Sequence, residues 1–373
     1  MRVGVIGCGA IAQMMHLPYL RQLSDRYQIA ALCDLSPGLV EAMGEYYHVA
    51  RRYTDYHDLI AAEVEAVIIL TGGSHAPPAL AALRAGKHVL VEKPMCFTLR
   101  EADEMIAAAE ASGRTLMVAY MKRYDPGYRY AQQALPALGD LRYIQINTLH
   151  PSEDDYQGVH RIVRTNDLPR ETLERLAAET RALVVEAIGQ TPPVVGSIYT
   201  DVILGSLVHD VNALRGLVGD PEAVAFTDIW PSGEKLPCVT TILRHASGLR
   251  TVCTWAYLHD LRNYFEEIAL MSAKGRMRLQ FPSPYLRHFP TPVVVEQMED
   301  GAAFEKRVTV SYAEAFKEEL IHFHECVTQG RKPLTDAYDA RRDIEILQQV
   351  VAAFNPPGLG GEAAAKASAN EGG

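Results

Sequence analysis

Short unbroken apolar runs alternate with helical stretches through the first third of the chain. Residues 3–6, 28–34, 66–71, 86–91 and 117–120 are apolar and are bounded by Gly, Pro, Ser or charged residues. Strands buried on both faces of a parallel sheet read in this way. Ser36-Pro37 marks a helix start, with serine as cap and proline at the first helical position. The alternation predicts an α/β Rossmann domain over 1–124. From about residue 125 the pattern changes. Residues 128–135 are helical, and 141–149 alternate apolar and polar as a half-buried strand does, ending at His150. Further strands are predicted at 224–227, 238–244, 250–255 and 265–271, with Leu279 and 293–295 extending the series. An amphipathic helix at 312–329 and a closing helix at 336–354 complete an α+β domain over 125–354 with a mostly antiparallel open sheet. Inside it, 151–196 hold a polar loop, a charged helix at 170–188 and Pro192-Pro193. Such a stretch is long for a connection and is expected to be an insertion that acts as a lid or an oligomer contact. Residues 355–373 are Gly/Ala-rich and are expected to be a disordered tail.

Composition narrows the function classes. The chain has 373 residues, 48% of them apolar, and a net charge of −10. That balance suits a protein that handles small molecules and argues against a nucleic-acid partner. No apolar run in the sequence is read as long enough to span a bilayer, and the chain opens directly in a strand without a leader pattern. The six cysteines are scattered without a Cys-x-x-Cys pair, so neither a disulfide framework nor a metal centre is expected, and a reducing cytoplasm fits. His322 and His324 are two apart on a helix and face different ways, so they are not a metal pair.

The candidate chemistry sits at strand ends. Gly7, Gly9 and Ala12 form a Gly-x-Gly-x-x-Ala turn between the first strand and a helix. The first glycine permits the turn, and the second lets a pyrophosphate approach the backbone. The helix start through Ala10, Ile11 and Ala12 offers free N–H groups. Asp34 ends the second strand, where a carboxylate would bond the adenosine ribose hydroxyls and repel a 2′-phosphate. Residues 35–38 bring no arginine, so NAD is favoured over NADP. Thr71 and Gly72 end another strand, with His75 following as a cofactor contact or a helix cap. Glu92 and Lys93, both candidate cofactor contacts, then leave the strand at 86–91, and Pro94 keeps Lys93 out of helical backbone.

Gly86-Lys87-His88-Val89 followed by Glu92-Lys93-Pro94 resembles the signature of the Gfo/Idh/MocA oxidoreductases, the glucose–fructose oxidoreductase and inositol dehydrogenase family. The run 121–126, Met-Lys-Arg-Tyr-Asp-Pro, is similar to another family segment, with Met121 where a polar residue is usual. Residues 201–221 resemble the helix that carries Asp-x-x-x-His and ends in Gly-Asp-Pro. His209 takes the histidine position, Gly205 stands where the aspartate is expected, and Asn212 where a second aspartate is common. The insertion at 151–196 is longer than the family's usual connection. On an α-helix Asp201, Gly205 and His209 share a face, so Asp201 is a candidate for the missing carboxylate.

The resemblance implies a nicotinamide-dependent enzyme that moves hydride to or from a hydroxyl-bearing carbon of a sugar, polyol or sugar derivative. Lys93 is expected to hydrogen-bond the reacting oxygen and His209 to act as the general base. Arg123, His150, Tyr199 and Asp201 are candidates to orient the substrate. Two other readings stay open: a redox-neutral glycoside-cleaving or epimerising enzyme, and a non-catalytic NAD-binding sensor. The expected partners are a small sugar-like molecule and further copies of the chain, as a homodimer or homotetramer, with no nucleic acid and no membrane.

Overall fold

A computed structural model describes residues 1–233 and 236–354; the expected tail at 355–373 lies outside the described residues. The first domain alternates strand and helix. β1 (Arg2–Ile6) leads through the glycine turn into α1, a π-helical turn at Ala12–His16 that runs on as Leu17–Gln22. Then come β2 (Gln28–Cys33), α2 (Pro37–Tyr47), β3 (Arg52–Tyr53), α3 (Tyr56–Ala61) and β4 (Ala66–Ile69). α4 (Ala76–Arg84), β5 (His88–Glu92), α5 (Leu99–Ser112) and β6 (Leu116–Ala119) complete the series. The strands pair in the order β3-β2-β1-β4-β5-β6, all parallel. Every residue of β4 and β6 is buried, as helices on both faces require. Local chemistry sets the helix starts. Ser36 accepts from Leu39 N–H at 3.0 Å to cap α2, and Thr98 with Glu101 forms a capping box on α5. The strand order reverses between β1 and β4, so the carboxyl ends of the strands open a crevice there.

The second domain begins with α6 (Pro126–Ala134) and β7 (Leu141–His150), followed by α7 (Asp154–Gln157), α8 (Arg170–Ile188) and α9 (Pro193–Ser197). α9 continues without a break into a π-helical segment, Ile198–Leu207, and then α10 (Val208–Val218). The remaining strands are β8 (Ala223–Trp230), β9 (Cys238–Arg244), β10 (Arg250–Tyr257), β11 (Phe265–Ser272), β12 (Gly275–Phe281), β13 (Val293–Glu299) and β14 (Ala302–Val308). α11 (Ala315–Gln329) and α12 (Ala337–Ala352) close the chain. The eight strands run β14-β13-β12-β11-β7-β10-β9-β8, antiparallel except where β7 meets β10. In β7, Ile144, Ile146 and Thr148 are buried, whereas Tyr143, Gln145 and Asn147 are partly exposed, so one face of the sheet packs and the other is open.

Two findings depart from the sequence reading. β14 was not anticipated, because its run is mostly polar or exposed. The continuous helix Pro193–Val218 has 26 residues and is apolar enough to cross a membrane by length and composition. The sequence reading had found no such run. Here the helix is a core element: Ile198, Tyr199, Val202, Ile203, Leu204 and Leu207 are all buried in the fold.

Candidate active site

The dinucleotide turn is shaped by what its glycines leave out. Gly7 has φ +98°, and a Cβ there would lie 2.6 Å from the Leu70 carbonyl carbon. Around Gly9 no atom lies within 4 Å of the Cβ position, so the backbone is open to a phosphate group. Asp34 is held beside this cradle: its carboxylate accepts from Cys8 N–H at 2.7 Å and from Ser36 N–H at 2.9 Å. These residues fit the pyrophosphate and adenosine ribose of a dinucleotide. Thr71 and Gly72 follow β4 at the same edge, and open space surrounds Gly72.

Two expected cofactor contacts are committed elsewhere. The buried His75 ring bridges two carbonyls, Thr71 O at 2.8 Å and Pro94 O at 2.6 Å. His75 is the N-cap residue of α4, but its ring makes no capping bond and is not free for a ligand; it ties the turn after β4 to the turn after β5. The buried Glu92 carboxylate meets His16 Nε2 at 2.7 Å and accepts from Lys93 N–H at 3.0 Å. Burial would raise its pKa, but the bond and charge of His16 outweigh that and hold it below the usual carboxylate range. Glu92 thus braces the base of Lys93 from within the protein.

Between the two sheets lies a cleft of about 530 Å³, open to solvent. Lys93 and Lys122 reach it from the ends of β5 and β6, and Asp201, Gly205, Ser206 and His209 from the long helix. His150, Trp255 and Tyr264 line its other wall, because β7 and β10 end and β11 begins at that edge. Lys93 Nζ donates to the main-chain carbonyl of Gly205. Burial pulls the Lys93 ammonium below the ordinary lysine value, and Lys122 adds to this against the pull of Glu92. His209 is driven well below the ordinary histidine value, first by burial and then by Lys93 and Lys122. Its ring packs edge-on against Tyr120, with centroids 6.5 Å apart, and its Nδ1 is sealed in without a partner among the described residues.

The helix is π-helical through Ile198–Leu207 and α-helical from Val208, and Asp201, Gly205 and His209 all turn to the cleft, as the expected shared face requires. Asp201 stands exposed at the cleft mouth and accepts from Thr200 Oγ1 at 2.8 Å. It does not supply a carboxylate to His209. In place of an acidic side chain at 205, the backbone offers a carbonyl to Lys93.

Two expected substrate contacts are corrected. Tyr199 is fully buried, and its hydroxyl donates to Phe97 O at 2.7 Å. Arg123 turns away from the cleft and bonds Asn212 Oδ1 and Asp339 Oδ2, each at 3.3 Å. Its neighbour Lys122 faces the cleft instead, because the chain makes a tight 3₁₀ turn over Met121–Tyr124. His150 is placed as expected: it lines the cleft, packs on Trp255 and bonds Pro151 O at 2.8 Å.

The sequence reading missed a buried charge cluster at the floor. Lys122 Nζ binds Glu266, which also accepts from the Tyr264 hydroxyl, and lies 3.8 Å from Asp210 Oδ1. Burial and the Glu266 charge push Asp210 well above the carboxylate range. Burial would raise Glu266 too, but Lys122 holds it low. Glu153 and Tyr285 form a further cleft pair, with the phenol donating at 2.8 Å. No spacing in the sequence links these residues; Lys122 and Glu266 are 144 positions apart.

A six-stranded parallel sheet with an open glycine turn and an acidic strand end defines a nicotinamide-dinucleotide-binding Rossmann domain, here joined across a cleft to an open, mostly antiparallel sheet. Residues 1–120 match the Gfo/Idh/MocA model, described as an oxidoreductase family with an NAD-binding Rossmann fold. This domain belongs to that family. Among curated relatives, an inositol 2-dehydrogenase of Salmonella typhimurium is 36% identical over 132 residues, which cover 34% of this chain and 39% of that protein. The match thus spans well under half the relative's length. A myo-inositol 2-dehydrogenase of Thermotoga maritima is 22% identical over 353 residues, 91% of this chain and 92% of its own. The fold of the whole chain is similar to an aldose-aldose oxidoreductase from Caulobacter crescentus, with TM-score 0.70 and 22% identity over 95% of this chain and 97% of that one.

Proposed function

We propose that the chain is an NAD-dependent oxidoreductase acting on a hydroxyl-bearing carbon of a sugar, polyol or sugar derivative. The carrying observation is that Lys93 and His209, from different domains, line one cleft with Lys93 close enough to depress the histidine's pKa. A bound nicotinamide supplies a two-electron acceptor or donor. The glycine turn would hold its pyrophosphate, and Asp34 its adenosine ribose.

The neutral His209 accepts the proton of the substrate hydroxyl. Lys93 exchanges its bond to Gly205 O for one to the reacting oxygen and stabilises the negative charge developing there. Asp201, Glu153, His150, Tyr264 and Tyr285 offer several acceptors and donors around the cleft, which suits a polyhydroxylated substrate. Asp34 supports NAD over NADP. The six cysteines are all free and buried, which supports a reducing compartment. The partly exposed face of the second sheet supports self-association.

A second reading, a redox-neutral reaction on one retained cofactor, is favoured by Gly205, which leaves His209 without an orienting carboxylate. Incubating the protein with NAD+ and a panel of polyols and sugars separates the two. NADH formation supports net oxidation. Product formation with no NADH supports the redox-neutral reading. No turnover of any substrate, with NAD+ bound, returns the chain to a dinucleotide-binding sensor.

A further inference from the structure

The polar loop between α7 and α8 does not stay with its own domain. It crosses to the first domain and fastens on both lips of the dinucleotide crevice. On one lip Val163 N–H donates to Gln13 Oε1 at 2.8 Å, and Gln13 Nε2 donates back to Val163 O at 3.0 Å. Gln13 lies on the helix that opens from the glycine turn. On the other lip Thr165 Oγ1 meets Ser36 Oγ at 2.7 Å. The Asp167 carboxylate accepts from Ser36 Oγ at 2.6 Å and from Gly38 N–H at 2.7 Å. Just before these ties Ile162 packs against the core of the first domain, and His160 bonds Tyr285 O at 2.6 Å at the foot of the loop.

The second attachment has chemical content. Ser36 and Gly38 follow Asp34 directly and begin α2. A dinucleotide with its adenosine ribose on Asp34 presents its 2′ position to this loop. A hydroxyl donor and a backbone N–H at a helix start are the groups that a 2′-phosphate would need. Both are already taken by Asp167, whose carboxyl is held below the ordinary aspartate range by the Ser36 and Gly38 bonds. The fit is close, since a Cβ on Gly38 would lie 2.9 Å from Asp167 Oδ2.

We infer that residues 160–168 form a strap that closes over the bound dinucleotide, and that Asp167 is a specificity residue that lets the strap close on a 2′-hydroxyl but not on a 2′-phosphate. A phosphate would meet two carboxylates, Asp34 and Asp167, and find its donors occupied. The inference rests on the dinucleotide reading above and assigns part of the cofactor choice to the second domain.

The test measures binding, not turnover. Dissociation constants for NAD+ and NADP+ come from calorimetry at fixed salt, and release rates from stopped-flow fluorescence, for the full chain, Asp167→Ser and Gln13→Ala. Asp167→Ser removes the charge, so it is expected to narrow the NAD+/NADP+ affinity ratio by roughly tenfold or more, as lifting a like-charge clash does. Gln13→Ala frees the other end of the strap. It is expected to speed release of NAD+ several-fold while leaving the affinity ratio near that of the unmodified chain. An affinity ratio unmoved by Asp167→Ser overturns the role of Asp167, and a release rate unmoved by Gln13→Ala overturns the strap. If the unmodified chain binds neither dinucleotide, the dinucleotide reading fails first and the inference falls with it. Asp167 is exposed and on a loop, so an unchanged melting temperature confirms that the variant is folded.

Discussion

Lys93 and His209 form an electrostatic pair of unusual sign: a cation and a base that each make the other less able to carry charge. Both are half-buried in the cleft, and Lys122 adds a second positive charge nearby. The base form of His209 is the neutral one, and its pKa lies well below 6.5, so it persists into mild acid. The acid limb of kcat/KM is therefore expected below the ordinary histidine range, and His209→Ala should remove that limb and cut turnover by roughly 10²-fold. An acid limb at or above 6.5 in the pH–rate profile would argue against His209 as the base. Lys93 donates only while protonated, and its pKa is lowered from 10.5, so activity should fall on the alkaline side before that value. Lys93→Met keeps the stem and loses the charge. It should cost on the order of 10²–10³ in kcat while NAD+ affinity stays within a few-fold. Activity retained in that variant would make Lys93 a structural residue.

The element that sets this geometry is the helix from Pro193 to Val218. Its π-helical segment turns Gly205 O toward Lys93, and its α-helical end is locked from behind. Arg215 bonds Asp343 Oδ1 and Asp220 Oδ1, each at 2.7 Å, and Asn212 bonds Asp343 Oδ2 at 2.7 Å. Burial raises Asp343 to about 7, against the opposing pull of Arg215. Asp343→Ala leaves the buried Arg215 with Asp220 and Asp339 alone, and should cost about 3 kcal/mol in urea unfolding. A loss below about 1 kcal/mol would mean that the network does not seat α10. Much of this was legible in the chain. Continuous apolar runs announced the parallel strands, and strand ends announced Asp34 and Lys93, since position along a strand fixes which edge a residue reaches. The π-helix was not legible, because its residues are as apolar and helix-compatible as those of an α-helix. Asp201 reaches the cleft as expected, but its carboxylate is taken by Thr200 and does not serve His209. Arg123 and Lys122 were exchanged because a single tight turn decides which of two adjacent side chains faces the cleft. Asn212 was noted only as a departure from an aspartate; its place is in the lock between α10 and α12.

At the scale of the whole molecule, the cleft exists only where the two domains meet, and the proposed preference for NAD draws on residues of both. NAD+ should bind more tightly than NADP+ at fixed salt, and Asp34→Ala should narrow the gap; equal affinities in the unmodified chain would remove the basis for the preference. The strap was hidden in the sequence because a polar loop carries no periodicity, and its partners at Gln13 and Ser36 are 150 and 129 residues away. The cysteines have a further use. All six are free and buried, and burial raises the thiols of Cys8, Cys33, Cys96 and Cys253. Since the thiolate is the form that alkylates, the native protein should be nearly inert to maleimides. A single cysteine introduced at the exposed Val163 would then take up a fluorophore alone, with no native thiol removed, and would make the opening and closing of the strap visible one molecule at a time.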